Sequence, residues 1–229
     1  MRVLLTRPLE DGDETARQLA LRGHEALLSP LLSLRFLDGP ELELKGVQAI
    51  LATSANGVRA LARRTGARGL PIFAVGPQTA AEARKLGFAE VKSADGDAGA
   101  LARAARAWAQ PAKGALLHVA GEGNDGKLAA SLPDFSVRLE ILYAVTPVEK
   151  IPAEIPAWLA QGKVDAALFF SARSGAIFRD LAIKEGLVLG EVLAVAISPA
   201  AAAALTPLTF AEVRIAPRPN LENLLNLLT

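Results

Sequence analysis

The sequence contains no cysteine. Disulfides, thiol nucleophiles and thiolate metal sites are thereby excluded. Histidine occurs twice, at His24 and His118, far apart in the chain and with no partner at ligand spacing. No metal site is expected from so thin a set. Charge of one sign is also lacking: the net charge is +1, and no run of five like charges occurs. Nothing there suits a polyanion-binding stripe, so no nucleic-acid partner is expected. The start, "MRVLLTRP", runs into strand-like sequence without the apolar stretch of a signal peptide. The longest apolar run, 192–205, holds Ser198 and Pro199 and is too short to span a bilayer. The expectation is a soluble, cytoplasmic protein with no membrane partner. Trp108 and Trp158 are the only tryptophans and read as packing residues.

What is present is apolar and periodic. Of 229 residues, 51% are apolar and 21% charged, which suffices for packed cores. The length suits two domains. Short apolar runs at 2–6, 24–28, 47–52, 71–75, 89–92, 115–119, 136–142, 165–170, 192–197 and 212–215 read as strands. Ala/Leu/Arg-rich stretches at 12–22, 56–65, 77–87, 97–109, 125–131, 174–186, 199–205 and 220–228 read as helices. Such alternation implies parallel sheets with right-handed crossovers. The strands are wholly apolar, as expected when helices cover both faces.

Two segments, 33–41 and 143–152, break the rhythm with Pro and Gly and read as irregular linkers. Between them lie five strands, and after them only three. The N-terminal strand, helix and strand complete a second set of five. The expected fold class is α/β, with two doubly wound, flavodoxin-like, parallel-sheet domains joined by a two-segment linker. One domain is discontinuous, 1–35 with 148–229, and the other continuous, 39–143. Internal likenesses agree: "VQAILATSANG" (47–57) with "VDAALFFSARS" (164–174), and "AVGPQTAAEA" (74–83) with "AISPAAAAAL" (196–205). "VLLTRPLEDG" (3–12) is likewise patterned as "LLHVAGEGNDG" (116–126).

Ligands of open parallel sheets bind beyond the C-terminal ends of the strands. Loops at those ends carry small polar residues and each opens a helix. They are "TRP" with Thr6 and Arg7, "TSANGV" with Thr53, Ser54, Asn56 and Gly57, and "VGPQTA" with Gly76 and Thr79. "SARSG" follows with Ser171, Ala172 and Ser174, and Ser198 opens the counterpart of the third. Free N–H groups and the helix dipole favour an anion there. Each loop alone reads as an N-cap or tight turn. Together, placed to face one interdomain cleft, they read as a binding site.

"GEGNDG" (121–126) matches the dinucleotide motif G-x-G-x-x-G between a strand and a helix. It follows the fourth strand of its domain rather than the first, and neither Glu140 nor Glu149 suits the later acidic position. Tyr143, the single tyrosine, stands where a strand meets the second linker. It can pack with its hydroxyl wet, or act as a donor or weak general acid.

The ordered set "LLTRPLEDGDETARQLALRGHEALLSPLL", "ILATSANGVRAL", "FAVGPQTAAEARKLG", "LEILYAV", "LFFSARSGAIF" and "AVAISPAAAAAL" resembles the uroporphyrinogen-III synthase family over nearly the full length. The resemblance implies a cyclising hydro-lyase of haem and other tetrapyrrole biosynthesis. Its substrate is the linear tetrapyrrole hydroxymethylbilane, and its product is uroporphyrinogen III, with the last ring inverted through a spiro intermediate. No cofactor is expected. The resemblance casts Tyr143 as the residue that assists departure of the substrate hydroxyl, and the loop residues as receptors for eight carboxylates. It further implies a monomer, in transient contact with hydroxymethylbilane synthase. One departure stands out: Ser198 and Ala201 occupy the positions of Gly76 and Thr79 in the second copy of that loop. The rival readings are a two-domain small-molecule-binding protein of periplasmic or effector type, and a nucleotide-dependent α/β enzyme.

Overall fold

The computed structural model describes residues 1–229, save the side chain of Glu10. The chain divides into two compact units, Met1–Ser33 with Thr146–Thr229, and Leu34–Val145.

The first unit is built from β1 (Arg2–Leu5), α1 (Leu9–Leu21), β2 (Glu25–Leu28), α6 (Glu154–Ala160), β9 (Ala166–Phe169), α7 (Ala172–Glu185), β10 (Leu193–Ala196), α8 (Pro199–Ala203), β11 (Glu212–Ile215) and α9 (Leu221–Leu225). Its parallel sheet has the order β11-β10-β9-β1-β2. Numbered along the chain this is 2-1-3-4-5, the flavodoxin order. Alternation along β9 explains its unbroken apolarity. Ala167 and Phe169 enter one core with Leu4, Phe178 and Leu181, while Ala166 and Leu168 enter the opposite core with Val3, Leu5 and Leu224. Successive side chains point to opposite faces, and both faces are covered.

The second unit holds β4 (Val47–Ala52), α2 (Ala55–Arg64), β5 (Ile72–Ala74), α3 (Pro77–Lys85), β6 (Val91–Ser93), α4 (Ala98–Trp108), β7 (Ala115–Gly121) and α5 (Lys127–Ala130). Two further strands, β3 (Leu32–Phe36) and β8 (Val137–Pro147), complete its sheet, whose order is β3-β8-β7-β4-β5-β6. The strands from β4 to β8 pair in parallel. Ile50 and Leu117 face one core, and Leu51 and Leu116 the other.

β6-β5-β4-β7-β8 in this unit corresponds, strand for strand, to β11-β10-β9-β1-β2 in the first. The two sheets therefore share one plan with different starting points, and the internal likenesses fall on matching strands. In each, the central pair (β4 with β7, β9 with β1) sends its connections in opposite directions. That pair is the topological switch point, where ligands of doubly wound sheets collect.

Two local expectations need correction, and one helix lies where the sequence predicts none. The segments 33–41 and 143–152 are not irregular throughout: residues 32–36 form β3, and β8 continues to Pro147, so the sheet of this unit has six strands and not five. Residues 154–160 form α6 despite Pro156. That proline lies in the first turn, where its missing N–H would have had no helical partner.

Candidate functional site

At the switch point of the Leu34–Val145 unit, β4 ends at Ala52 and the chain turns into α2. Ser54 is extended, with φ −155°, and its Oγ accepts the Gly57 N–H at 3.0 Å. This is an N-cap, so of Ser54 and Asn56 it is Ser54 that caps the helix. Gly57 lets α2 approach β7: a Cβ there would stand 3.0 Å from the Val119 carbonyl oxygen.

β7 ends at Gly121, beside β8. The β7–β8 register runs from Leu116↔Val137 to Ala120↔Ile141, then slips so that Gly121 faces Tyr143. Leu142 is thus the extra residue of a bulge, a device that re-aims a side chain. The Glu122 N–H donates to the Tyr143 carbonyl at 2.8 Å and fixes the slipped register. The Tyr143 ring lies against Gly121, and its hydroxyl stands 2.7 Å from Ser54 Oγ, where either can donate. A cap that accepts one N–H still has a proton to give and a lone pair to offer. The phenol therefore ends at the N-terminus of α2, in the positive end of a helix dipole.

Next to Ser54 in sequence, Thr53 meets His118 of β7, which is only 1% exposed and has Nε2 3.4 Å from Thr53 Oγ1. Burial pushes the His118 pKa below its ordinary value. The folded chain therefore favours neutral imidazole, whereas the unfolded chain takes up a proton near pH ~6.5. The folded pKa is the lower one, so stability from this group is intact above about pH 6.5. It is lost as pH falls from there through the folded value. Replacing His118 with Leu is expected to flatten the fall of the urea midpoint on acidification across that window. Parallel wild-type and variant curves would refute the assignment.

Asn56 sits inside α2, and its Oδ1 accepts from Arg59 at 2.8 Å. Arg59 also forks onto Glu82 of α3 at 2.9 and 3.2 Å. That carboxamide is thus engaged in tying α2 to α3. Gly76 is the extended N-cap of α3 and offers no side-chain cap, leaving first-turn N–H groups open at the strand end. Thr79 is buried in the first turn of α3.

In the other unit, Thr6 is 0% exposed, and its hydroxyl donates to the Leu168 carbonyl at 2.6 Å. That hydroxyl joins β1 to β9. Arg7 lies over the Phe170 ring at 4.6 Å, donates to Thr15 Oγ1 at 3.0 Å and pairs with Asp11 at 3.5 Å. Ser171 caps α7 as Ser54 caps α2, accepting the Ser174 N–H at 3.1 Å. Ser171 thus matches Ser54, as the alignment of 164–174 with 47–57 has it. Ser174 is buried and its hydroxyl donates to the Ser171 carbonyl at 3.0 Å, whereas Ala172 is exposed. Ser198 caps α8 through the Ala201 N–H at 3.3 Å, so the departure from the Gly76 pattern adds a cap.

The structure thus brings Tyr143 and Ser54 together and puts Thr53 in contact with His118. Gly121 was not singled out as a site residue from the sequence, although it opens "GEGNDG". His118 carried no signal beyond its scarcity. Among the described residues, no three His, Asp or Glu side chains gather as a metal site would require.

A family model for uroporphyrinogen-III synthase HemD matches residues 13–226. The chain belongs to the uroporphyrinogen-III synthase family. It is an enzyme of tetrapyrrole biosynthesis, a cyclising lyase that converts hydroxymethylbilane to uroporphyrinogen III with inversion of ring D. Two solved structures share its fold. Uroporphyrinogen-III synthetase from Helicobacter pylori is 16% identical, with a TM-score of 0.64 over 100% of this chain and 98% of that one. A methionine-substituted uroporphyrinogen III synthase from Thermus thermophilus is 18% identical, with a TM-score of 0.52 over 99% and 97%. At such identities these structures speak for the fold and not for individual residues. No curated protein sequence matches the chain. The family leaves no role for the binding-protein and nucleotide-enzyme readings.

Proposed function

We propose that the synthase reaction runs on Tyr143 as the catalytic acid, with the N-termini of α2 and α3 as carboxylate receptors. The observation that carries this reading is the 2.7 Å contact between the Tyr143 hydroxyl and the cap of α2, at the switch point of the sheet. The difficult event is loss of the substrate hydroxyl. Tyr143 gives its proton to that oxygen as the C–O bond breaks, and water leaves. The pyrrole nitrogen lone pair stabilises the carbon left behind, which ring D then attacks through its substituted α carbon to form the spiro intermediate. The bond from that carbon to its old methylene bridge then breaks, and the bridge rejoins ring D at its free α carbon. The proton given up is balanced by the one released when the final pyrrole regains its aromaticity. The uncatalysed product is the uninverted isomer, so the protein's contribution is the held geometry as much as the proton.

Open N–H groups at Gly76 and along the first turn of α2 are suited to carboxylates. In the other unit, the capped ends of α7 and α8, with Ser171, Ala172 and Ser198, offer receptors of the same kind. Arg7 is a weaker candidate, because Asp11 already neutralises it. Thr6 and Ser174 support the loops rather than touch substrate on this reading. We take the protein to act as a cytoplasmic monomer, in transient contact with the hydroxymethylbilane synthase that makes its substrate. Among the described residues, no helix is long and apolar enough to cross a membrane.

Incubation with enzymatically made hydroxymethylbilane is expected to give uroporphyrinogen III faster than spontaneous closure gives the I isomer. Formation of the I isomer alone, at the spontaneous rate, would refute the activity.

A further inference from the structure

We propose that Gly121 and Ser54 are positioning residues for the synthase reaction, acting only through Tyr143. Gly121 is the floor on which the ring lies, and Ser54 aims the hydroxyl and donates to its oxygen as the phenol proton leaves. This rests on the reading of Tyr143 as the acid.

The floor is defined by contact. A Cβ at Gly121 would stand 2.7 Å from Tyr143 Cε2 and 2.8 Å from Cζ, so no other residue leaves the ring where it is. The bulge at Leu142 brings Tyr143 opposite Gly121 in the first place. Gly123 and Gly126 have φ of +78° and +70° and serve the turn that follows. "GEGNDG" is thereby accounted for without a nucleotide: its first glycine seats a ring and its later two shape a loop.

The polarising path is a chain of donors. The Gly57 N–H donates to Ser54 Oγ at 3.0 Å, and Ser54 Oγ lies 2.7 Å from the Tyr143 hydroxyl. Donation along such a chain is cooperative, and its far end is the helix N-terminus. Negative charge growing on the phenol oxygen is met by a donor already in place.

The test uses the intact chain and two readouts: kcat and KM with hydroxymethylbilane, and the 13Cζ resonance of tyrosine. Tyr143 is the only tyrosine, so that resonance is unambiguous. G121A and S54A are each expected to lower kcat about tenfold or more, since small misplacements carry large kinetic costs, with KM nearly unchanged. Both should move the 13Cζ resonance. S54T, which keeps the hydroxyl, should restore rate and resonance. In a Y143F background, neither G121A nor S54A should cost more than about twofold, because their effects are routed through the missing hydroxyl.

Wild-type kcat in G121A and S54A, with Y143F slow, would overturn this proposal alone. Equal losses with and without Tyr143 would overturn it too, as would an unmoved resonance. A Y143F enzyme near the wild-type rate would overturn the acid reading and this one with it. If G121A fails to fold, the comparison of S54A with S54T still decides.

Discussion

Replacing Tyr143 with Phe is expected to lower kcat by about 10²- to 10⁴-fold, the usual reach of a positioned general acid. The ring stays on Gly121, and only the oxygen is removed. Ser54 keeps its Gly57 N–H, so the cap of α2 survives. The stability cost is then that of one hydrogen bond, about 0.5–1.5 kcal/mol. KM should change little, because the backbone N–H groups proposed to hold the carboxylates are left in place. The product mixture should also shift, because slow enzymatic closure lets spontaneous closure to the I isomer compete. Stopped-time product analysis at several enzyme concentrations measures both effects. Turnover near the wild-type rate would remove Tyr143 as the acid.

The second large effect is on stability. Phe169 is fully buried in β9, the middle strand of its sheet. Its ring meets Phe178 edge-on at 5.1 Å and Phe210 at 6.1 Å. Phe169→Ala is expected to cost about 3–5 kcal/mol, through lost transfer energy and the cavity left among stiff neighbours. Natural domains hold only about 5–15 kcal/mol in all, so the variant approaches the limit of folding. Trp158 packs against the same core, whereas Trp108 packs on Phe73 in the other unit. A Trp108→Phe background therefore makes fluorescence a reporter of residues 1–33 and 146–229. A urea midpoint lowered by less than about 1.5 kcal/mol equivalent would mean that the core closes over the gap.

Most of the fold was legible because its strands are enclosed. An apolar run such as "ALF" in β9 has no reading other than burial on both faces. β3 escaped notice because it is an edge strand, half exposed and followed, after two intervening residues, by Gly39 and Pro40. The end of β8 was hidden by Thr146 and Pro147, which look like a turn but close a long strand. The caps were legible for a local reason: Ser54, Ser171 and Ser198 each bond an N–H three residues on. What joins Ser54 to Tyr143 acts across 89 residues and depends on a one-residue slip between strands. No spacing rule encodes that slip, and so the worth of Gly121 was invisible while its motif pointed elsewhere.

The discontinuity of the first unit has a consequence for synthesis. β1 is a central strand, and Thr6 waits for the Leu168 carbonyl across 162 residues. At roughly 5–20 residues per second, translation takes on the order of 8–30 s to deliver that partner. The Leu34–Val145 unit needs nothing from later in the chain and is free to fold in the meantime. Until then β1 can pair only with β2, through Glu25–Leu28, and the edge that meets β9 stays open. One edge of a buried apolar strand is therefore left open until residues 166–168 are made, an exposure that follows from the discontinuity of this unit rather than from its chemistry.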